Sequence, residues 1–299
     1  MFPIAFHSIF KHPLPEGHRF PMLKYDLLPK QLLHEGTAEI SDFFEPETAN
    51  IADILAVHTK HYVDSLLSLS LDAKAVRKIG FPLSAELIER EFRIAQGTIL
   101  GSQLALKHGV AFNIAGGTHH AFRNSGEAFC LLNDQAIAAQ FLLNKNLASK
   151  ILIVDLDVHQ GNGTAEIFRN ESRFLTFSMH GKSNYPFKKE ISDLDIPLKD
   201  GTTDKEFLMI LTETLPILIK TQMPDFIFYL AGVDILETDK LGNLSCTIEG
   251  AKERDKIVLS ICKDHNIPIQ VSMGGGYSPL IKTIIEAHAN TFRVARQIF

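Results

Sequence analysis

Residues 151–159 read Ile151-Leu152-Ile153-Val154-Asp155-Leu156-Asp157-Val158-His159. The run is short and almost continuously apolar, which predicts a strand over 151–158 that is buried on both faces, as in a parallel sheet. Side chains alternate across a strand, so Asp155, Asp157 and His159 are expected on one side. Two carboxylates in such surroundings are costly unless a cation or strong hydrogen bonds compensate. A metal ion is the simplest compensation. The alternative is that the aspartates cap the next helix or meet a basic side chain. Asn162 and Thr164 already offer caps for a helix starting near Ala165, which leaves Asp157 and His159 freer to act as ligands.

Similar strand signals recur at 110–114, 226–230 and 267–273. Helical periodicity lies between them. Segment 84–107 places Ile88, Phe92, Ala95 and Ile99 at helical steps behind a possible Ser84 cap, and 133–143, 204–220 and 247–264 follow the same logic. A last helix is expected over 278–297, opened by Ser278-Pro279. Alternating strands and helices predict an α/β fold, a mostly parallel central sheet with helices on both faces. No repeat, linker or charge block divides the chain, so residues 1–299 are read as one domain.

Composition narrows the partners. The 299 residues are 45% hydrophobic and 22% charged, an ordinary globular balance. With 30 Lys+Arg against 35 Asp+Glu the net charge is −5, which argues against a nucleic-acid surface. No stretch is apolar enough for a membrane span. The apolar N-terminal residues lack a preceding basic region and are soon interrupted by Lys11, His12 and Pro13, unlike a secretory signal. Cys130, Cys246 and Cys262 form no CxxC pair, so a reducing compartment, the cytoplasm, is expected. Nothing in the pattern assigns an oligomeric state.

Polar clusters follow all four strand signals. Gly116-Gly117-Thr118-His119-His120 follows the first, Asp155 to His159 close the second, Asp234 follows the third, and Gly274-Gly275-Gly276-Tyr277 follows the last. Ligands in open α/β sheets sit beyond the carboxyl ends of strands, so the four clusters are expected to share one crevice. Two carboxylates and an imidazole with an open fourth position suit catalytic Zn²⁺, and also Fe²⁺. The histidine doublet suits acid–base chemistry, and a Tyr277 hydroxyl suits stabilisation of an oxyanion.

These motifs, together with Phe129-Cys130-Leu131-Leu132-Asn133-Asp134 and Asp157-Val158-His159-Gln160-Gly161-Asn162-Gly163, resemble the zinc-dependent histone deacetylase family and its arginase-like fold along nearly the whole chain. The stretch from Asp234 to Gly242 and the early His18-Arg19-Phe20-Pro21-Met22 look like the class IV branch and its bacterial relatives. The resemblance implies Asp157, His159 and Asp234 as zinc ligands, His120 as general base and then acid, His119 as its electrostatic partner, and Tyr277 at the oxyanion. It further implies that Asp155 orients His119 beside a structural K⁺ site. Phe129, Tyr185, Ala128 and Gly275 would contact substrate, with Ala128 replacing a usual glycine, and Arg19 would line an internal cavity for the released acid. Cys130 is read as packing.

Asn162 stands where class I enzymes have Asp, so the partner of His120 is neutral and a lower His120 pKa is expected. The rim segment 78–83 has no acidic residue to grip a peptide backbone. The leading expectation is hydrolysis of acetyl or longer acyl groups from lysine side chains of proteins. A small acylamine such as an acetylpolyamine is the alternative; it would need acidic rim residues, for which Glu16, Glu86 and Asp239 are the candidates. A two-metal ureohydrolase would need more bridging carboxylates. A catalytically silent acyl-lysine-binding module would not need the intact doublet and Tyr277.

Overall fold

Every strand of the computed structural model, which describes residues 2–299, belongs to one sheet. In chain order the strands are β1 (Ile4–Ala5), β2 (Phe43–Phe44), β3 (Val110–Asn113), β4 (Ile151–Asp155), β5 (Phe174–Gly181), β6 (Leu194–Leu198), β7 (Phe226–Leu230) and β8 (Ile269–Ser272). They lie in the order β2-β1-β3-β8-β7-β4-β5-β6, each neighbouring pair parallel. The expected mostly parallel sheet is therefore parallel throughout. Strands β3, β8, β7 and β4 are contiguous and fully buried, as their apolar sequences require.

Strand β4 stops at Asp155, short of the expected 158. Asp157 and His159 lie in the following loop, so alternation across a strand does not align them. Their spacing has another cause. Asp155 Oδ1 accepts the Asp157 N–H at 3.2 Å and Asp157 Oδ1 accepts the His159 N–H at 3.0 Å, two successive turns in which an aspartate binds the backbone two residues on. The four strands without a sequence signal are short, β1 and β2, or mixed in polarity, β5 and β6, the last an edge strand with Pro197.

Helices flank the sheet in packed groups: Ala85–His108 lies on Asp134–Asn144, and Ile281–Ile298 lies on Ile248–Asp264 and Lys24–His34. Three sequence-legible caps hold their first turns. Ser84, Asn133 and Thr247 accept the N–H groups of Leu87, Ala136 and Gly250 at 3.1, 3.1 and 3.0 Å. Each such cap contributes about 1 kcal/mol. Ser278-Pro279 does not open the last helix. That helix begins at Ile281 with no side-chain cap, and Ser278 instead bonds Thr238 at 2.8 Å between the two hydroxyls. Nor do Asn162 and Thr164 cap a helix near Ala165: the helix spans Asn162–Phe168 behind Gly161, and both side chains are engaged elsewhere.

Candidate active site

The loops after the four central strands meet above the sheet. After β3, Asp134 pins the glycine turn by accepting the N–H of Gly117 at 2.9 Å and of Thr118 at 2.8 Å. Gly117 has φ +98°, which a side chain would strain. The turn sets His119 and His120 side by side, ring centroids 4.0 Å apart. His119 Nδ1 donates to Asp155 Oδ2 at 2.7 Å, and His120 Nδ1 donates to Asn162 Oδ1 at 2.6 Å. With its Nδ1 proton so used, a neutral His120 keeps its lone pair on Nε2.

Asp157, His159 and Asp234 each offer one ligand atom, all within 4.8 Å of one another and all buried. His159 Nδ1 lies 3.0 Å from Asp157 Oδ1 and 3.2 Å from Asp234 Oδ2. The backbone completes the cradle: Val158 N–H donates to Asp234 Oδ1 at 3.0 Å and Gly275 N–H to Asp157 Oδ2 at 2.9 Å. A Cβ at Gly275 would collide with both carboxylates. Gly275, expected at the substrate, thus binds a carboxylate of the triad.

The electrostatics say what the triad lacks. Burial and the adjacent Asp157 charge push the Asp234 carboxyl up to about 7. Burial disfavours a charged His159, yet its bonds to Asp157 and Asp234 raise it to about 10. Two buried carboxylates compete for one imidazole proton, which is the demand a divalent cation meets. The oxygen and nitrogen donors fit Zn²⁺ or Fe²⁺. Burial, and then the positive charges of His119 and His159, hold His120 well below its ordinary value. His119 moves the other way: burial opposes its charge, but Asp155 and then Asp157 raise it.

Beneath this cluster, buried Arg254 fixes the ligand-bearing loops. Its guanidinium donates to the carbonyls of Leu156 at 3.3 Å and Gly232 at 2.5 Å and to Asp255 Oδ1 at 2.9 Å. Tyr277 is positioned through its own N–H, which donates to Asp239 Oδ2 at 2.6 Å. Its ring lies 6.1 Å from that of Phe129.

Two spaces meet at Tyr277, His120 and His159. The outer one, about 570 Å³, is lined also by Phe129, Tyr185 and Ala128. Tyr185 presents its ring edgewise to His120, centroids 5.2 Å apart. Ala128 and Phe129 have φ of +47° and +69°, and their N–H groups donate to the carbonyls of Lys78 and Ile79 at 3.0 and 2.6 Å. The inner space is about 40 Å³ and includes Phe20, Tyr25, Arg90 and Cys130. Arg19, expected on the inner cavity, lines the outer pocket, its guanidinium carbon 5.0 Å over the Phe129 ring; Arg90 is the arginine inside. Burial raises the Cys130 thiol well above its ordinary pKa, which fits packing.

Besides Arg90 and Arg254, two more residues escaped the sequence reading. Glu127 is buried and accepts from Asn162 Nδ2 at 2.6 Å, while pairing with Lys78. Lys24 is buried and donates through Nζ to the Gly274 carbonyl at 2.8 Å; burial lowers it to about 8. The only signal for Glu127 was an acidic residue inside the otherwise apolar Gly126-Glu127-Ala128-Phe129-Cys130.

Residues 18–292 match the histone deacetylase domain family. An uncharacterized protein of Picosynechococcus sp. is 43% identical, covering 100% of this chain and 99% of its own length. Histone deacetylase 2 of Arabidopsis thaliana is 31% identical over 87% of this chain and 70% of that one. The solved structure of an HDAC homolog from Aquifex aeolicus superposes with TM-score 0.84 at 22% identity, covering 98% of this chain and 83% of that one.

Proposed function

Since the chain belongs to the histone deacetylase family, we propose that it is a metal-dependent amidohydrolase that removes acetyl or longer acyl groups from lysine side chains. The observation that carries this reading is the meeting of two differently tuned histidines, the Asp157–His159–Asp234 triad and Tyr277 at the foot of one aromatic-walled pocket. Asp157, His159 and Asp234 would hold Zn²⁺, with Fe²⁺ as the other fitting ion. Such an ion supplies Lewis-acid polarisation of a carbonyl and of a water.

The residues supply the rest. Phe129 and Tyr185 flank the aliphatic chain and Tyr277 donates to the carbonyl oxygen as negative charge develops there. His120 Nε2 takes a proton from water as the new C–O bond forms. Asp155 favours positive charge on His119, which opposes charging of His120 and so keeps it able to accept. The C–N bond then breaks, the proton passes from His120 to the departing amine, and the acyl group leaves as carboxylate. No covalent acyl-enzyme is required. Motifs 18–22 and 234–242 support placement in the class IV branch, and a structural K⁺ beside Asp155 is part of the same proposal. The free, buried cysteines suit the cytoplasm. No helix among the described residues is long and apolar enough to cross a membrane.

The test is hydrolysis of an acetyl-lysine peptide alongside metal analysis. Turnover that disappears in Asp157→Ala and falls strongly in Tyr277→Phe is expected. Retained binding of acyl-lysine with no hydrolysis by the metal-loaded wild type would favour the silent module instead.

A further inference from the structure

The mouth of the outer pocket carries Arg19, Lys78 and Lys240, and no acidic residue lines it. All three cations are exposed. Lys78 is compensated by its pairing with Glu127, but neither Arg19 nor Lys240 has a carboxylate within ion-pair distance among the described residues. The acidic candidates for the rim are placed otherwise. Asp239 is turned into its own loop, where its carboxylate accepts the N–H groups of Leu241, Gly242 and Tyr277 at 2.8, 3.0 and 2.6 Å. Asp200, not one of those candidates, is exposed and accepts the Ser183 hydroxyl at 2.5 Å, outside the pocket lining. Glu16 and Glu86 are outside the pocket lining. The remaining rim is apolar or neutral, with Phe187 90% exposed.

The geometry points to an acylamine whose carrier bears a carboxylate next to the acylated chain, so that the anion meets Arg19 and Lys240 when the amide lies between His120 and Tyr277. This rests on the amidohydrolase reading above and names its substrate class. An ε-acyl-lysine brings its main chain out of the aromatic-walled pocket at this mouth, where a free α-carboxylate or an adjacent acidic side chain gains favourable Coulomb energy and faster capture. An acetylpolyamine instead places a second ammonium beside two uncompensated cations. The slightly acidic net charge of the whole chain is no guide here, because exposed charges act over about a Debye length of roughly 10 Å.

The experiment compares four substrates: α-amino-blocked ε-acetyl-lysine as free acid and as amide, an acetyl-lysine peptide flanked by glutamates, and N-acetylspermidine. Two exposed cations should favour the free acid over the amide by about three- to ten-fold in kcat/KM, mostly through KM. Acetylspermidine should be poorest, and high salt should compress the differences. The Arg19→Gln and Lys240→Gln variants should each bring the acid-to-amide ratio toward one. The glutamate-flanked peptide separates the sources: a gain equal to the free acid places the anion on a neighbouring residue, and no gain restricts the class to a free α-carboxylate, either result supporting an anionic carrier. An acid-to-amide ratio of one or less, or acetylspermidine as good as the acid, overturns the proposal. If no substrate is hydrolysed, the amidohydrolase reading fails, and calorimetric binding of the acid and amide still decides the mouth's preference.

Discussion

Glu127 accepts a hydrogen bond from Asn162 Nδ2 at 2.6 Å, and that contact fixes which end of the Asn162 amide faces His120. With its NH₂ group held by the carboxylate, Asn162 can present only Oδ1, and His120 must answer with an Nδ1 proton. Glu127 therefore selects the His120 tautomer that leaves Nε2 free.

Removing this acceptor should be felt in catalysis before binding. Glu127→Ala leaves the Asn162 amide free to turn over, and kcat for acetyl-lysine peptide should fall about 10- to 100-fold, a part of the value of a positioned base. KM should change little. Glu127→Gln keeps an acceptor and should retain activity within a few-fold. A Gln variant as impaired as Ala would mean that charge, not amide orientation, is what matters.

The neutral partner of His120 yields a pH prediction. His120 works as a base when unprotonated, so activity should fall as pH drops through its pKa, which burial and the charge of His119 hold well below the ordinary value. An Asp partner would stabilise imidazolium and move the acid limb to higher pH. In Asn162→Asp alone, however, the new carboxylate would face Glu127 and the two would share a proton, muting the change. The larger upward shift is expected in the Asn162→Asp/Glu127→Gln double variant. Acid limbs measured from kcat/KM profiles should rank wild type, single, double.

Metal removal should lower stability as well as activity, since two buried carboxylates would lose their cation. At a metal concentration about 100-fold above Kd the ion contributes about 2.7 kcal/mol. With an unfolding entropy of about 2.1 cal/mol/K per residue over 299 residues, each kcal/mol is worth about 1.6 °C, so a chelator should lower Tm by about 4 °C. The response should vanish in Asp157→Asn and in Asp234→Asn, which calorimetry can read without any substrate.

Arg254 has a stability signature of its own. Replacing it by Leu leaves buried Asp255 without its cation, held only by the Tyr229 and Thr291 hydroxyls, and frees the carbonyls of Leu156 and Gly232, one residue before Asp157 and two before Asp234. A loss of about 3–5 kcal/mol in denaturant unfolding is expected, with weaker metal retention.

The central sheet was legible because β3, β4, β7 and β8 are buried on both faces and write that burial into unbroken apolar runs. The same property misled at the edges of those runs. Leu156 and Val158 are as apolar as strand residues, yet the chain leaves β4 at Asp155 because carboxylates there bind the backbone ahead of them. The triad was visible since its residue types are rare in apolar surroundings. Glu127 and Lys24 were not, because a charged residue in a loop or in the first turn of a helix ordinarily faces water; what buries each is a partner brought by the fold from far along the chain, Asn162 in one case and the Gly274 carbonyl in the other. Arg19 was misplaced for the converse reason: its neighbours Phe20 and Tyr25 do turn inward, and only the backbone decides which residue of the segment follows them.

Consecutive left-handed residues at Ala128 and Phe129 make the inner wall of the pocket hard to vary. A left-handed backbone costs an L-residue about 1–2 kcal/mol and excludes β-branched side chains almost entirely. Position 128 therefore has a narrow repertoire of little beyond glycine, alanine and the short amides. Descendants of this protein that come to prefer a different acyl group would have to change the opposite wall at Tyr185 or the lining of the inner cavity, and lineages should diverge there while 128 and 129 stand still.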